Sequence, residues 1–324
     1  MDGWGLDWAA WQRITPEVLG ERLAAGANPD AGLPALGNTP LFEVLNRPAA
    51  REMIELLVAY GAKVDAVNLL GQTPLWEAVR IGRRDAVTAL LRAGADPWRR
   101  LFGQWSPGLL GLCGPFADLF EDLPGGLRLG PNMRELQDYA DVLIDSYGTW
   151  KFEGNPAFGF ISGVREEEVV RRLGADPDAC PPIPQGGHPS GCRSGGAGHE
   201  TIHLATSPWG GVVLHQYDGV ALVVERICRA LTTPYGLMAS VLDDPGGRAY
   251  VHVWQDGRRV RQIEPGQEPG AEGRIEEWLC RFGDLSGVYG RMERALACMS
   301  MITGVAAEEQ WTHEAPHRRI KVSR

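Results

Sequence analysis

One five-residue stretch of this 324-residue chain has a chemistry that is easy to name: His199-Glu200-Thr201-Ile202-His203, an H-E-x-x-H. On a helix, histidines four apart share a face and can hold zinc, and the glutamate can serve as base toward a metal-bound water. The flanks oppose that helix. Gly195-Gly196-Ala197-Gly198 precedes the motif, Pro208 and Gly210-Gly211 follow it, and Thr201 and Ile202 are β-branched. A strand is predicted instead, in which the two histidines still share a face but Glu200 points the other way. No second histidine-rich segment marks a third ligand, although His215, Glu225 or His252 could approach. The metal candidates are therefore His199 and His203. Zinc is the one cofactor the sequence suggests, with no cofactor as the default, and a zinc-dependent hydrolase using 199–203 is the alternative function.

Cys180, His188, Cys192 and His199 offer a second metal option, a structural zinc clipping a Gly-rich loop. Their spacing fits none of the usual zinc layouts, and the competing reading is a loop with two free thiols. There is no G-x-S-x-G and no recognisable cysteine signature, so no catalytic residue is assigned. GGLRLGP (125–131) and GGAGHE (195–200) lack the Lys-Ser/Thr of a phosphate loop. Arg83-Arg84, Arg99-Arg100 and Arg318-Arg319 are short basic spots, either solvated faces or contacts for an acidic partner.

The elements that position side chains in the first half are repeated. In Gly71–Pro97, Thr73 can cap a helix whose first position is Pro74, since proline lacks only a hydrogen that would be orphaned there. Leu75, Ala78 and Val79 give that helix one apolar face; Gly82 stops it, and Asp85 starts a second helix with Val87, Leu90 and Leu91 apolar. Two short helices cannot bury such a stripe alone, so the unit must lean on copies of itself. Gly37-Asn38-Thr39-Pro40-Leu41-Phe42 repeats the opening, and Ile54, Leu57, Gly61, Ala62 and Asp65 repeat the close. An earlier close is Leu19, Leu23 and Gly26–Asp30, and a fourth opening is Gly103–Pro107, with one extra residue.

This unit resembles the ankyrin repeat, with its T-P-L-H-x-A signature and period of about 33 residues. Phe42 and Trp76 stand where the signature has histidine, exchanging imidazole hydrogen bonds for bulk. The resemblance implies an all-α solenoid that binds another protein through its hairpin tips and inner helix faces. The matching positions are Leu69, Leu70, Gln72, Arg80 and Ile81 in one copy, and Leu36, Asn38, Asn46 and Arg47 in the copy before. Trp4, Trp8 and Trp11 would share one helix face and plug the open end of the stack.

Around Asn155-Pro156 the texture changes. Strands are expected at 158–164, 201–205, 211–216, 220–225, 237–242, 249–255 and 258–263, with a hairpin at Tyr217-Asp218-Gly219. Helices are expected at 166–173, 227–232, 273–282, 289–302 and 306–311, and the basic tail 317–324 as frayed. Met133–Tyr147 is helical, either ending the fourth repeat or starting the next domain. The layout is α+β with a mainly antiparallel sheet, giving two domains, 1–150 and 151–324. Gly163–Pro177, Tyr217–Gly219 with Val224-Glu225, and Ala295–Val305 resemble an actinobacterial domain of unknown function, which carries no activity across.

A net charge of -9 disfavours nucleic acid or an anionic membrane as partner. No apolar run reaches membrane-span length, the six cysteines are scattered, and no signal-peptide layout is seen, so a cytoplasmic setting is expected. The function expected is non-catalytic protein binding, extending to toxin neutralisation in bacterial conflict.

Overall fold

The computed structural model describes residues 4–6, 8–33, 36–126, 128–150, 156–183, 199–217, 219–243, 249–264, 273–280, 291–309 and 315–323. His188 and Cys192, and with them the second metal option, lie outside the described residues. Two compact units result, one reaching Glu135 and the other starting at Leu136.

The first unit is helical: α1 (Trp8–Trp11), α2 (Pro16–Ala24), α3 (Pro40–Val44), α4 (Ala50–Ala59), α5 (Pro74–Arg80), α6 (Arg84–Arg92), α7 (Pro107–Leu112) and α8 (Ala117–Phe120). Capping chemistry sets the starts. Thr73 Oγ1 accepts from the Trp76 amide at 3.3 Å, and Ser106 Oγ from Leu109 at 3.2 Å, each followed by proline at the first helical position. Helix α2 opens in the same way on Thr15-Pro16, a signal the sequence reading passed over. Gly82, at φ +74, makes the left-handed turn between α5 and α6.

The helices pack in two rows. In one, α3 meets α5 and α5 meets α7; in the other, α2 meets α4 and α4 meets α6. The helices begun by Thr39 and Thr73 are thus adjacent, and Leu41, Val44, Ile54, Leu57, Leu75, Ala78, Val87 and Leu90 fill the space between rows. Trp76 is fully buried with its ring 4.8 Å from that of Phe102, so bulk does stand in for the missing imidazole. The tryptophan plug is built differently from the expected single helix. Only residues 8–11 are helical, and Trp4 folds back onto Trp11 at 5.0 Å while its Nε1 donates to the Asn28 carbonyl at 2.8 Å.

The second unit is a seven-stranded, wholly antiparallel sheet in the order β6-β5-β4-β1-β3-β2-β7. Its strands are β1 (Ala157–Ser162), β2 (His199–Thr206), β3 (Val212–Gln216), β4 (Leu237–Asp243), β5 (Ala249–Gln255), β6 (Arg258–Ile263) and β7 (Arg318–Ser323). Strand alternation sends side chains to two cores. Phe158, Phe160, Val241, Val251 and Val253 meet α9 (Pro131–Gly148) and α13 (Arg291–Thr303) on one face. Ile161, Ile202, Leu204, Leu214 and Trp254 meet α10 (Glu166–Arg172) and α11 (Glu225–Thr232) on the other. The short α12 (Ile275–Leu279) carries buried Glu277, whose Oε2 accepts from Arg261 of β6 at 2.8 Å.

Helix α9 starts the second unit rather than closing the fourth repeat. Its Leu143 and Tyr147 enter the sheet core, and Tyr147 Oη lies 2.7 Å from Ser300 Oγ and accepts from the Ala307 amide at 3.2 Å. The two units meet at Glu135/Leu136, within α9.

Three local expectations are corrected. Residues 220–225 form no strand after Tyr217: Ala221–Val223 is a 3-10 turn and Glu225 begins α11. The basic tail is strand β7, paired with β2 from His199↔Ser323 to Leu204↔Arg318. Residues 306–308 are not helical.

Candidate protein-binding surface

Each hairpin tip is closed by a backbone hydrogen bond: Leu33 N to Asn38 O (2.8 Å), Asn68 N to Gln72 O (3.0 Å) and Leu101 N to Trp105 O (2.9 Å). The second tip is also fastened to the first, because Leu69 N donates to Leu36 O at 2.9 Å. Asn68 organises this region. Its Oδ1 accepts from the amides of Leu70 and Gln72, and its Nδ2 donates to Asn38 Oδ1 and Gln72 Oε1, all at 3.0 Å. Asparagine bonding the backbone two residues on is a recognised turn device, and that signal in Asn68-Leu69-Leu70-Gly71 was there to be read.

The nine expected contact residues fall into two groups. Leu36, Leu69 and Leu70 are solvent-facing, 41, 79 and 50 % exposed, with Val67 beside them at 42 %. Asn38 and Gln72 serve the tip itself: Gln72 is buried, and Asn38 bridges Asn68 and Glu43 Oε1. At the other end of the helices, Asn46, Arg47 and Arg80 are also engaged. Arg47 donates to the carbonyls of Glu43 and Gln12, and Arg83 donates to Asn46 Oδ1 and the Arg47 carbonyl. Arg80 holds Glu77 with two bonds of 2.7 Å. Ile81 is half-buried at the end of α5. Of the nine, Leu36, Leu69 and Leu70 form an exposed apolar strip at the tips, and Asn46 is exposed at the far end.

Charge along the repeats follows the same division. Arg83 pairs with Asp85 at the start of its own helix, and Arg84 with Asp118, which ties this hairpin to the next. Burial disfavours the charge on Asp85, but Arg83 together with the Ala86 and Asp85 amides holds the carboxyl below its ordinary range. Asp30 and Asp65 accept from the amides of Lys63 and Asp96, one loop further on. Burial pushes Asp65 above the ordinary carboxylate range despite the Asp96 amide.

The H-E-x-x-H segment lies on strand β2, and its glutamate is committed elsewhere. Glu200 is 2 % exposed, and its Oε2 accepts from the amides of Val220 (2.8 Å) and Ala221 (2.7 Å) and from Gln216 Nε2 (3.0 Å). His203 faces the opposite side, its ring stacked 4.9 Å from His215, which in turn meets His317 at 5.2 Å. Burial first, then Arg319 and His317, push His203 down to about 4, so its imidazole is neutral at pH 7. Glu200 therefore has no line to a water on His203. Among the described residues, no group of three or more His, Cys, Asp or Glu is placed to hold a metal ion. His215 does approach His203 as the sequence allowed.

No helix among the described residues is long and apolar enough to cross a membrane. A mouse protein, ankyrin repeat domain-containing protein 13C of Mus musculus, is 36 % identical to this chain over 87 residues, 27 % of the chain and 16 % of that protein. The chain therefore spans less than a fifth of the length of this relative. Residues 6–100 match the family model described as ankyrin repeats in three copies, and the helical first unit accordingly carries ankyrin repeats.

Proposed function

We propose that this chain is a non-catalytic binding protein that docks another protein on the apolar edge formed by its repeat tips. The observation that carries this reading is the strip Leu36, Leu69 and Leu70, solvent-facing on turns that Asn68 and the Leu69–Leu36 backbone bond hold fixed. Apolar side chains gain little in water, and a preformed edge loses little entropy on docking. The ankyrin repeats themselves favour protein binding over catalysis. A cytoplasmic setting and a toxin from bacterial conflict as the partner are the finer form of the reading; they rest on the sequence alone, as does the resemblance of residues 158–311 to an actinobacterial domain. Among the described residues, no feature of the geometry favours the hydrolase alternative.

The test is co-purification from native lysate with wild type and with Leu69→Asp/Leu70→Asp. Both side chains are exposed, so the variant should melt with the wild type, and the partner's recovery should fall at least about tenfold. A partner recovered equally by both would remove the tip edge from the function.

A further inference from the structure

We propose that the tip edge selects an extended acidic segment, with apolar side chains over Leu36, Leu69 and Leu70 and carboxylates against Arg99 and Arg100; this rests on the protein-binding reading above. Three consecutive loops place these groups in one row. Leu36 is joined to Leu69 through the backbone bond between their loops. The next loop is joined to the second by Asp96 N on Asp65 (3.1 and 3.2 Å) and by Arg99, whose guanidinium donates to the Asp65 carbonyl at 3.3 Å. With Gly61 and Gly94 33 positions apart, Arg100 comes in register with Val67. The row therefore runs from apolar, through apolar, to cationic.

Charge decides what can lie along it. Of the five Arg-Arg pairs, 83–84 and 171–172 have both members, and 318–319 has Arg318, in salt bridges, while 258–259 belongs to strand β6 of the second unit rather than to the repeats. Arg99 and Arg100 are exposed and form no salt bridge among the described residues. The acids of the same loops are engaged by backbone amides: half-buried Asp30 and Asp65 accept from Lys63 and Asp96, and Asp96, itself exposed, accepts from Trp98. Lys63 is exposed as well. On a chain of net charge -9, this corner offers cations to the outside, and a carboxylate is what complements it. Neighbouring helical units lie about 8–10 Å apart, which an extended chain covers in roughly three residues. The partner's acidic residues should therefore fall roughly three to six positions from its apolar anchor.

The probe is a displayed library of random short peptides, selected on the full chain at low salt. Enriched peptides should pair Leu, Ile or Phe with Asp or Glu at that separation. Their affinity should fall at least about tenfold for Arg99→Glu/Arg100→Glu, with the loss shrinking as salt is raised. Enrichment without acidic bias, or equal binding by the arginine variant, overturns the proposal. If those peptides still fail on Leu69→Asp/Leu70→Asp, the apolar docking edge stands and only its acid preference falls. If they bind that variant unchanged, the protein-binding reading falls with it. A wild-type dimer in sedimentation that dissociates on Leu69→Asp would give the edge to a second copy and also overturn it.

Discussion

Asn68 supports the candidate surface without being part of it. It is buried, yet all four of its side-chain bonds serve the turn that displays Leu69 and Leu70. Truncation strips the Leu70 and Gln72 amides of this acceptor and removes the Nδ2 donor that Asn38 Oδ1 and Gln72 Oε1 share. Each buried polar group left unpaired costs about 1–3 kcal/mol, offset in part by water entering the gap. Asn68→Ala should therefore lose at least about 2 kcal/mol in urea denaturation, and partner binding should weaken although both leucines remain. A variant as stable as wild type would show that the turn holds itself.

At the residue scale the sequence was legible wherever the chemistry is local. Thr73-Pro74 and Ser106-Pro107 state their helix starts within four residues, and the structure places both caps there. The contact list was less legible because one signature position can face a partner or its own neighbour. Leu36 and Leu69 face out, while Gln72 and Arg80 are taken up by Asn68 and Glu77. Nothing in the immediate spacing separates these cases; the partner of each side chain had to be known.

Among the elements, two of the corrected expectations share a cause. The stretch after Tyr217 has the composition of a second hairpin strand, but its amides are claimed by side chains. Glu200 takes Val220 and Ala221, and Gln216 Oε1 accepts from Leu222 at 3.1 Å, which bends the chain into a 3-10 turn instead of a ladder. The tail became a strand because β2 offers it a whole edge, more than a hundred residues earlier in the chain. Such pairings are settled by tertiary contacts that local propensity cannot carry.

Strand β7 has a second tether with a pH signature. Arg318 Nε donates to Glu166 Oε1 at 2.6 Å, and Glu166 Oε2 accepts from the Thr206 amide (2.6 Å) and hydroxyl (2.7 Å). Burial works against the carboxylate's charge, yet Thr206 and Arg318 together hold Glu166 below its ordinary value of 4.5. The folded state is then the weaker proton binder at this group. Its contribution is complete at neutral pH, begins to fail as pH drops through about 4.5, and is gone below the folded-state value. Glu166→Gln should be less stable than wild type at pH 7, and the gap should close as pH falls below the folded-state value of Glu166. A gap independent of pH would assign Glu166 a role in shape alone.

For the whole molecule, the question of where one unit stops turns on α9. Composition changes near Asn155, but the apolar face of the helix before it is already spent on the sheet. Leu143, Tyr147 and Trp150 share a core with Phe158, Phe160 and Val213, and the Tyr147 and Trp150 rings lie 5.0 Å apart. Tyr147 also bonds Ser300 and Ala307, and burial, the dominant influence, pushes its hydroxyl up to about 12, so the phenol stays neutral throughout the ordinary pH range. Removing the helix would expose one face of β1 and α13 and leave three apolar side chains' worth of cavity, at about 2–5 kcal/mol for each large residue lost. That sum approaches the whole stability of a typical domain, roughly 5–15 kcal/mol. A fragment beginning at Leu136 should therefore unfold in one cooperative transition, whereas one beginning at residue 151 should lack a sharp transition in urea and expose apolar surface to dye. If both fragments unfold alike, α9 is an appendage of the sheet and the compositional boundary is the physical one.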